Sequence, residues 1–155
     1  MRIALEFDGT VVREDRPYDD VTTPLKFMQD AREAIAALKA AGHFLIISSG
    51  RSSPALLIDP NLNPLVRAGV WNVDPVRWEA SRGINQARLA QMIDFVESEL
   101  AGLIDCIDDG SAGKVSADLY IDNRGLRLGI GPGALSWREV ALLWGEPNAQ
   151  APVES

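Results

Sequence analysis

The sequence predicts an α/β protein, a three-layer sandwich with a mainly parallel central sheet. Three observations point there. Apolar runs of strand length recur at residues 3–5, 44–47 and 119–121. Helical patterns separate these runs, as parallel crossovers require. Polar residues gather just past the strand ends, at Glu6 and Asp8, at Ser49 and at Asp122. Open parallel sheets bind their ligands beyond the carboxyl ends of their strands.

Each element has a local reason. Residues 2–6 read as a short buried strand. Residues 11–29 are polar and rich in turn signals, with Arg16-Pro17, Asp19-Asp20 and Pro24. Asp30 is placed to cap a helix, with Glu33 three residues on. Ala34, Ile35, Leu38 and Ala41 share one face of that helix, and Gly42 ends it. Residues 44–47 form the second strand, followed by Ser48-Ser49-Gly50-Arg51. Strand, helix and strand with short links read as a right-handed crossover.

Residues 52–83 read as an irregular insertion near the strand ends. Pro54, Pro60, Pro64 and Pro75 punctuate it, leaving room for short helical turns and a strand candidate at Val70, Trp71 and Val73. A longer helix is expected over 84–100, with an apolar stripe of Leu89, Met92, Ile93, Val96 and Leu100. Residues 103–107 suggest a strand, Asp108-Asp109-Gly110 a turn, and 119–121 a strand ending in Asp122. A last helix over 136–144 carries Trp137, Val140, Ala141 and Trp144 on one face. Residues 1–145 make one domain, and 146–155 read as a flexible tail.

The chain has 155 residues, enough for one domain with a real core. Its net charge of -7 argues against nucleic acid or an anionic membrane as partner. An anionic ligand would have to be drawn in by a local device, such as a metal ion or a few placed cations. No stretch reaches the roughly 18 apolar residues of a membrane span. The first residues lack a signal-peptide pattern, so the cytoplasm is the expected compartment. Cys106 is the one cysteine, which leaves no intramolecular disulfide, and it reads as a small core residue. His43 is the one histidine and reads as structural, so no His-based triad or multi-His zinc site can form. The glycines of 129–133 lack the strand–helix setting of a dinucleotide loop and read as a turn. Trp71 and Trp78 are expected to pack the insertion onto the core.

Four short motifs lie on or near strand ends, in order. They are Glu6-Phe7-Asp8-Gly9-Thr10-Val11; Ser49 with Gly50-Arg51; Lys114 in Gly113-Lys114-Val115; and Asp122-Asn123 after Leu119-Tyr120-Ile121. Over roughly residues 1–130 this series resembles the haloacid dehalogenase (HAD) superfamily, and 117–124 is particularly similar to a small bacterial and phage branch of it.

The resemblance implies a HAD-like Rossmannoid fold and a phosphohydrolase that uses Mg²⁺ on a phosphomonoester through an acyl phosphate. In the family's pattern position 6 supplies the nucleophile, and Asp8 acts as general acid and then general base. Ser49 and Lys114 hold phosphate oxygens, with Gly50 beside them. The Glu6 and Asp122 carboxylates, the backbone carbonyl of Asp8 and waters hold the metal. Asp118, Asn123 and Arg51 would support these groups. The segments 11–29 and 52–83 are too short for full cap domains. An open site of that kind suits a phosphorylated small molecule or a larger phosphorylated substrate, or a protein partner or second copy that completes the pocket.

The sequence departs from the pattern at its first acid. Glu6 stands where the family has Asp, and its carboxylate reaches about one C–C bond, roughly 1.5 Å, further. Asn123 replaces a second Asp, and Val115 replaces a Pro. The alternative implied by Glu6 is a catalytically silenced relative that keeps the fold and binds metal or phosphate.

Overall fold

The computed structural model describes residues 1–111, 113–123, 126–127 and 134–145. The expected turn at 129–133 and the expected tail at 146–155 lie outside the described residues.

Among the described residues, five strands form one parallel sheet. They are β1 (Arg2–Glu6), β2 (Phe44–Ser48), β3 (Cys106–Ile107), β4 (Leu119–Asp122) and β5 (Leu126–Arg127), in the order β3-β2-β1-β4-β5. The α/β fold with a parallel central sheet is therefore the one the strand spacing predicted. Alternation along the strands sorts the side chains. Ile3, Leu5, Leu45, Ile47 and Ile121 point to one face and join the main core.

Three helices, α1 (Ala31–Ala40), α4 (Pro75–Glu99) and α5 (Trp137–Trp144), supply most of the rest of that core, with Phe7, Val11 and Val12 after β1 and Leu100 after α4; the four-residue helices α2 (Pro54–Leu57) and α3 (Pro64–Arg67) lie between α1 and α4 in the chain. α5 packs on α1, and Arg32 of α1 donates to the Glu99 carbonyl at the end of α4, 3.2 Å away. The other face of the sheet carries Ala4, Ile46 and Tyr120 side by side in the register. There the Lys114 ammonium lies 3.9 Å from the centre of the Tyr120 ring.

α1 ends as expected: the Gly42 and His43 N–H groups return to the Lys39 and Leu38 carbonyls in a Schellman closure. Its start differs from expectation. Asp30 sits in the left-handed region at φ 62° and its side chain caps nothing. The turn before the helix is closed instead by the Ala31 N–H on the Met28 carbonyl, 3.2 Å. α5 has a full capping box, Ser136 with Glu139. Its Trp137 indole donates to the Thr10 carbonyl at 2.8 Å, fixing the helix to the turn after β1.

The largest correction concerns α4, which begins at Pro75, nine residues before the expected start. Asp74 caps it, accepting from the Val76 and Arg77 N–H groups, and Pro75 occupies the first turn, where it loses no hydrogen bond. The expected strand at Val70, Trp71 and Val73 is absent, since these residues lead into that cap. The first half of α4 lacks an apolar stripe because its inward stripe is polar. Trp78, Arg82 and Asn85 donate to the Ala55, Leu57 and Leu56 carbonyls. A four-residue helix leaves nearly all its carbonyls unpaired within itself, and a stripe of donors satisfies them.

Two smaller corrections fall at the sheet edge. The strand expected over 103–107 shrinks to Cys106–Ile107. Cys106 is exposed rather than part of the core, because alternation turns Ile107 to the core and Cys106 to the other face of an edge strand. His43 is structural, as expected. Its Nε2–H donates to the Trp144 carbonyl at 2.7 Å, and its Nδ1 accepts from the amino terminus at 3.3 Å. Only that tautomer satisfies both partners, since a carbonyl can only accept and an ammonium only donate.

Candidate functional site

The parallel register brings the predicted acids to one edge of the sheet. Glu6 pairs with Ser48 at the ends of β1 and β2, and Asp122 follows Ile121, the partner of Leu5, on β4. Both acids are half-buried. After Glu6 the chain turns sharply: the Val11 and Val12 N–H groups both return to the Phe7 carbonyl. Val12 then bridges to Asp8 on one side and to Phe27 on the other, folding residues 11–28 back over the edge. Gly9 lies in this turn, where an added Cβ would come 3.0 Å from the Asn123 amide. The first and last motifs are therefore in contact range at their ends.

Asp8 is the centre of the site. Both its oxygens accept from one guanidinium, Arg51 Nε at 2.8 Å and Nη2 at 2.6 Å. Arg51 is only 6% exposed. Its Nη1 donates to the Arg88 carbonyl at 2.7 Å and to Gln91 Oε1 at 3.3 Å. Its Cζ lies 5.2 Å from the centre of the Phe7 ring. Sequence reading had Arg51 only as a supporting residue, and the structure makes it the tightest partner in the site. Ser49 accounts for this: it caps the turn Gly50–Ser52, its Oγ accepting from the Arg51 N–H at 3.2 Å, and that turn carries Arg51 inward. Gly50 is exposed beside it.

Asp8, Arg51, Arg88, Arg13, Glu14, Arg16 and Tyr18 line a cleft of about 90 Å³. Four arginines and two acids line it, in a chain whose net charge is -7. Arg88 Nη2 lies 3.7 Å from Asp8, and its Cζ lies 4.1 Å from the centre of the Tyr18 ring. The loop 16–24 is held down by donors on α4 and by its own side chains. Arg88 donates to the Tyr18 carbonyl and Gln91 to those of Val21 and Thr23, while Arg16 donates to the carbonyls of Thr23 and Pro24. Within the loop, hydrogen bonds from Thr23 and then Thr22 hold the Asp20 carboxyl down at about 2.

The other predicted residues lie apart from this cleft. Lys114 is exposed, with its ammonium over Tyr120. Asp118 does not orient Lys114. It lies at the start of β4, at the amino end of the sheet, and accepts from the Arg2 N–H at 2.7 Å and from the Arg2 guanidinium at 3.2 Å. Those bonds from Arg2 lower its pKa. Sequence reading missed Arg88, Gln91, Tyr18, Arg13 and Arg16 as site residues. The available signal was the stripe Trp78, Arg82, Asn85 and Arg88 on α4, whose helical spacing carries a side-chain N–H donor at every position.

Among the described residues, no group of three or more His, Cys, Asp or Glu side chains is placed to hold a metal ion. Glu6 and Asp122 sit on adjacent strands, but the carboxylate of Asp8 is taken up by Arg51. The expected set uses the Glu6 and Asp122 carboxylates and the backbone carbonyl at position 8, so the Asp8–Arg51 pairing leaves all three of its donors in place. No helix among the described residues is long and apolar enough to cross a membrane. Comparison with protein-family models, with curated proteins and with solved structures finds no match for this chain.

Proposed function

We propose that this chain is a cytoplasmic, HAD-like protein that binds a phosphorylated ligand at the carboxyl edge of its sheet and does not hydrolyse it. The observation that carries this reading is the grip of Arg51 on both oxygens of Asp8. In a phosphohydrolase of this pattern Asp8 would pass a proton to the leaving oxygen and later take one from water. Here it faces a buried guanidinium fixed from behind by the Arg88 carbonyl and Phe7. Glu6 compounds the effect, because displacing a reacting group by about 1 Å costs on the order of 100-fold. The binding reading assigns Mg²⁺ no step.

One observation favours a second reading, a Mg²⁺-dependent phosphohydrolase that acts on a phosphomonoester through an acyl phosphate on Glu6. The register sets Glu6 and Asp122 on neighbouring strands, with Ser48 and Ser49 beside them. The test is a phosphatase assay on an aryl phosphate with Mg²⁺ or EDTA, paired with calorimetric binding of the same compound. The binding reading expects heat of binding without turnover. Steady EDTA-sensitive turnover by the native chain overturns it and supports the second reading.

A further inference from the structure

We propose that the anionic group of the ligand is received by Arg51 and Arg88 in the place that Asp8 now holds, so that Asp8 is an internal stand-in for a tetrahedral oxyanion. This deepens the binding reading above and rests on it.

The Nε and Nη2 donors of Arg51 form a two-pronged fork filled by two oxygens at 2.8 and 2.6 Å. The same fork fits two oxygens of a phosphate as well as those of a carboxylate. It is anchored independently of Asp8. Nη1 is held by the Arg88 carbonyl and Gln91, and Phe7 lies against the guanidinium. Turning Asp8 aside therefore leaves the fork aimed at the cleft. Arg88 adds a second cation 3.7 Å from the same carboxylate.

Arg16 also lines the cleft, its Nη atoms held by the carbonyls of Thr23 and Pro24. Four arginines against two acids in the lining leave an excess of positive charge for a dianion. The cleft, of about 90 Å³, is small and opens to solvent, which suits a single tetrahedral oxyanion with the rest of its molecule outside. The rest of a phosphomonoester would extend over Tyr18, which is half-exposed and braced on Arg88.

Asp8 then competes with the ligand. A tethered group acts at an effective concentration on the order of millimolar or more, so free phosphate competes poorly with it. The experiment titrates inorganic phosphate and phenyl phosphate into the native chain, Asp8→Asn, Arg88→Gln and Lys114→Gln at low ionic strength, with tryptophan fluorescence confirming the fold of each. Asp8→Asn is expected to bind both probes at least tenfold more tightly than the native chain. Adding Arg88→Gln to Asp8→Asn is expected to reverse most of that gain. Tyr18→Ala in the same background should weaken phenyl phosphate and spare inorganic phosphate. Unchanged or weaker binding by folded Asp8→Asn, or a gain that survives Arg88→Gln, overturns the inference. Phenyl phosphate binding that is lost in Lys114→Gln but indifferent to Asp8→Asn and Arg88→Gln overturns it while leaving the binding reading intact. Absence of binding in every variant overturns both.

Discussion

The Asp8–Arg51 pair makes a quantitative prediction about stability. The side chains are 18% and 4% exposed, so each charge has left most of its water. Removing one partner of a buried pair costs about 3–5 kcal/mol, because the other charge stays buried without compensation. Asp8→Ala leaves Arg51 with the Arg88 carbonyl and Gln91, which hold one of its three nitrogens. Its cost should fall near the lower end, about 3 kcal/mol. Arg51→Met leaves Asp8 facing Arg88 at 3.7 Å and should cost a similar amount. The double variant removes both charges, so the cycle should report a coupling of about 2–3 kcal/mol. Urea unfolding followed by tryptophan fluorescence measures this, and for a chain of this size each kcal/mol moves the thermal midpoint by about 2–4 °C. An exposed ion pair would give about 0–1 kcal/mol. A coupling below about 0.5 kcal/mol would show that Asp8 is not captive. The proposed loss of catalysis would then lose its physical basis.

Three further outcomes follow from packing and charge. Phe7 is fully buried, edge-on to Phe95 at 5.8 Å and beneath Arg51, so Phe7→Ala should cost about 3–5 kcal/mol in urea unfolding and loosen Arg51 as well. Gly110 has φ +71°, and an added Cβ would lie 2.8 Å from the Ser52 carbonyl oxygen, so Gly110→Ala should lose about 1–3 kcal/mol in the same assay. A loss below about 0.5 kcal/mol would mean that the turn relaxes freely. Hydrogen bonds from Lys39 and then Leu45 lower the Asp105 pKa below its ordinary 3.8. The folded state thus resists protonation there; the contribution is complete above about pH 4 and is lost as pH falls through the lowered value. Asp105→Asn should lower the urea midpoint at neutral pH and flatten its decline on acidification.

Strand positions were legible because their signal is local. Residues 3–5, 44–47 and 119–121 are continuous apolar runs, and a parallel strand covered on both faces needs little else. The register then carried Glu6 and Asp122 to one edge without further information. The start of α4 was obscured because its inward face is polar. Trp78, Arg82 and Asn85 answer carbonyls of α2, a tertiary demand that no window of sequence displays. Arg51 was undervalued for the same reason. Its burial depends on the turn Gly50–Ser52 and on Phe7, Arg88 and Gln91, which lie far apart in the chain. Asp118 was misplaced by nearness in sequence to Lys114, whereas the parallel pairing of β1 and β4 sets it beside Arg2.

In the proposed reading two features, Glu6 and the grip of Arg51 on Asp8, each oppose hydrolysis, and they act on different atoms, so their effects should multiply. Glu6 moves the attacking oxygen, at a cost on the order of 100-fold. Arg51 occupies Asp8, the general acid that the resemblance implies, and losing such a group costs about 100- to 10,000-fold. Glu6→Asp alone therefore restores only the first factor. On an aryl phosphate with Mg²⁺ its kcat/KM should stay well below the roughly 10⁴ M⁻¹s⁻¹ at which ordinary enzymes begin. Adding Arg51→Gln frees Asp8 while keeping an amide in the buried position, and it should raise kcat/KM beyond the level of Glu6→Asp. The same change sacrifices the stability worked out above, so the double variant should be measured at low temperature and its folded fraction checked by fluorescence. If Glu6→Asp alone reaches ordinary enzymatic rates, Asp8 works while gripped by Arg51. The length of residue 6 would then be the sole defect of the site.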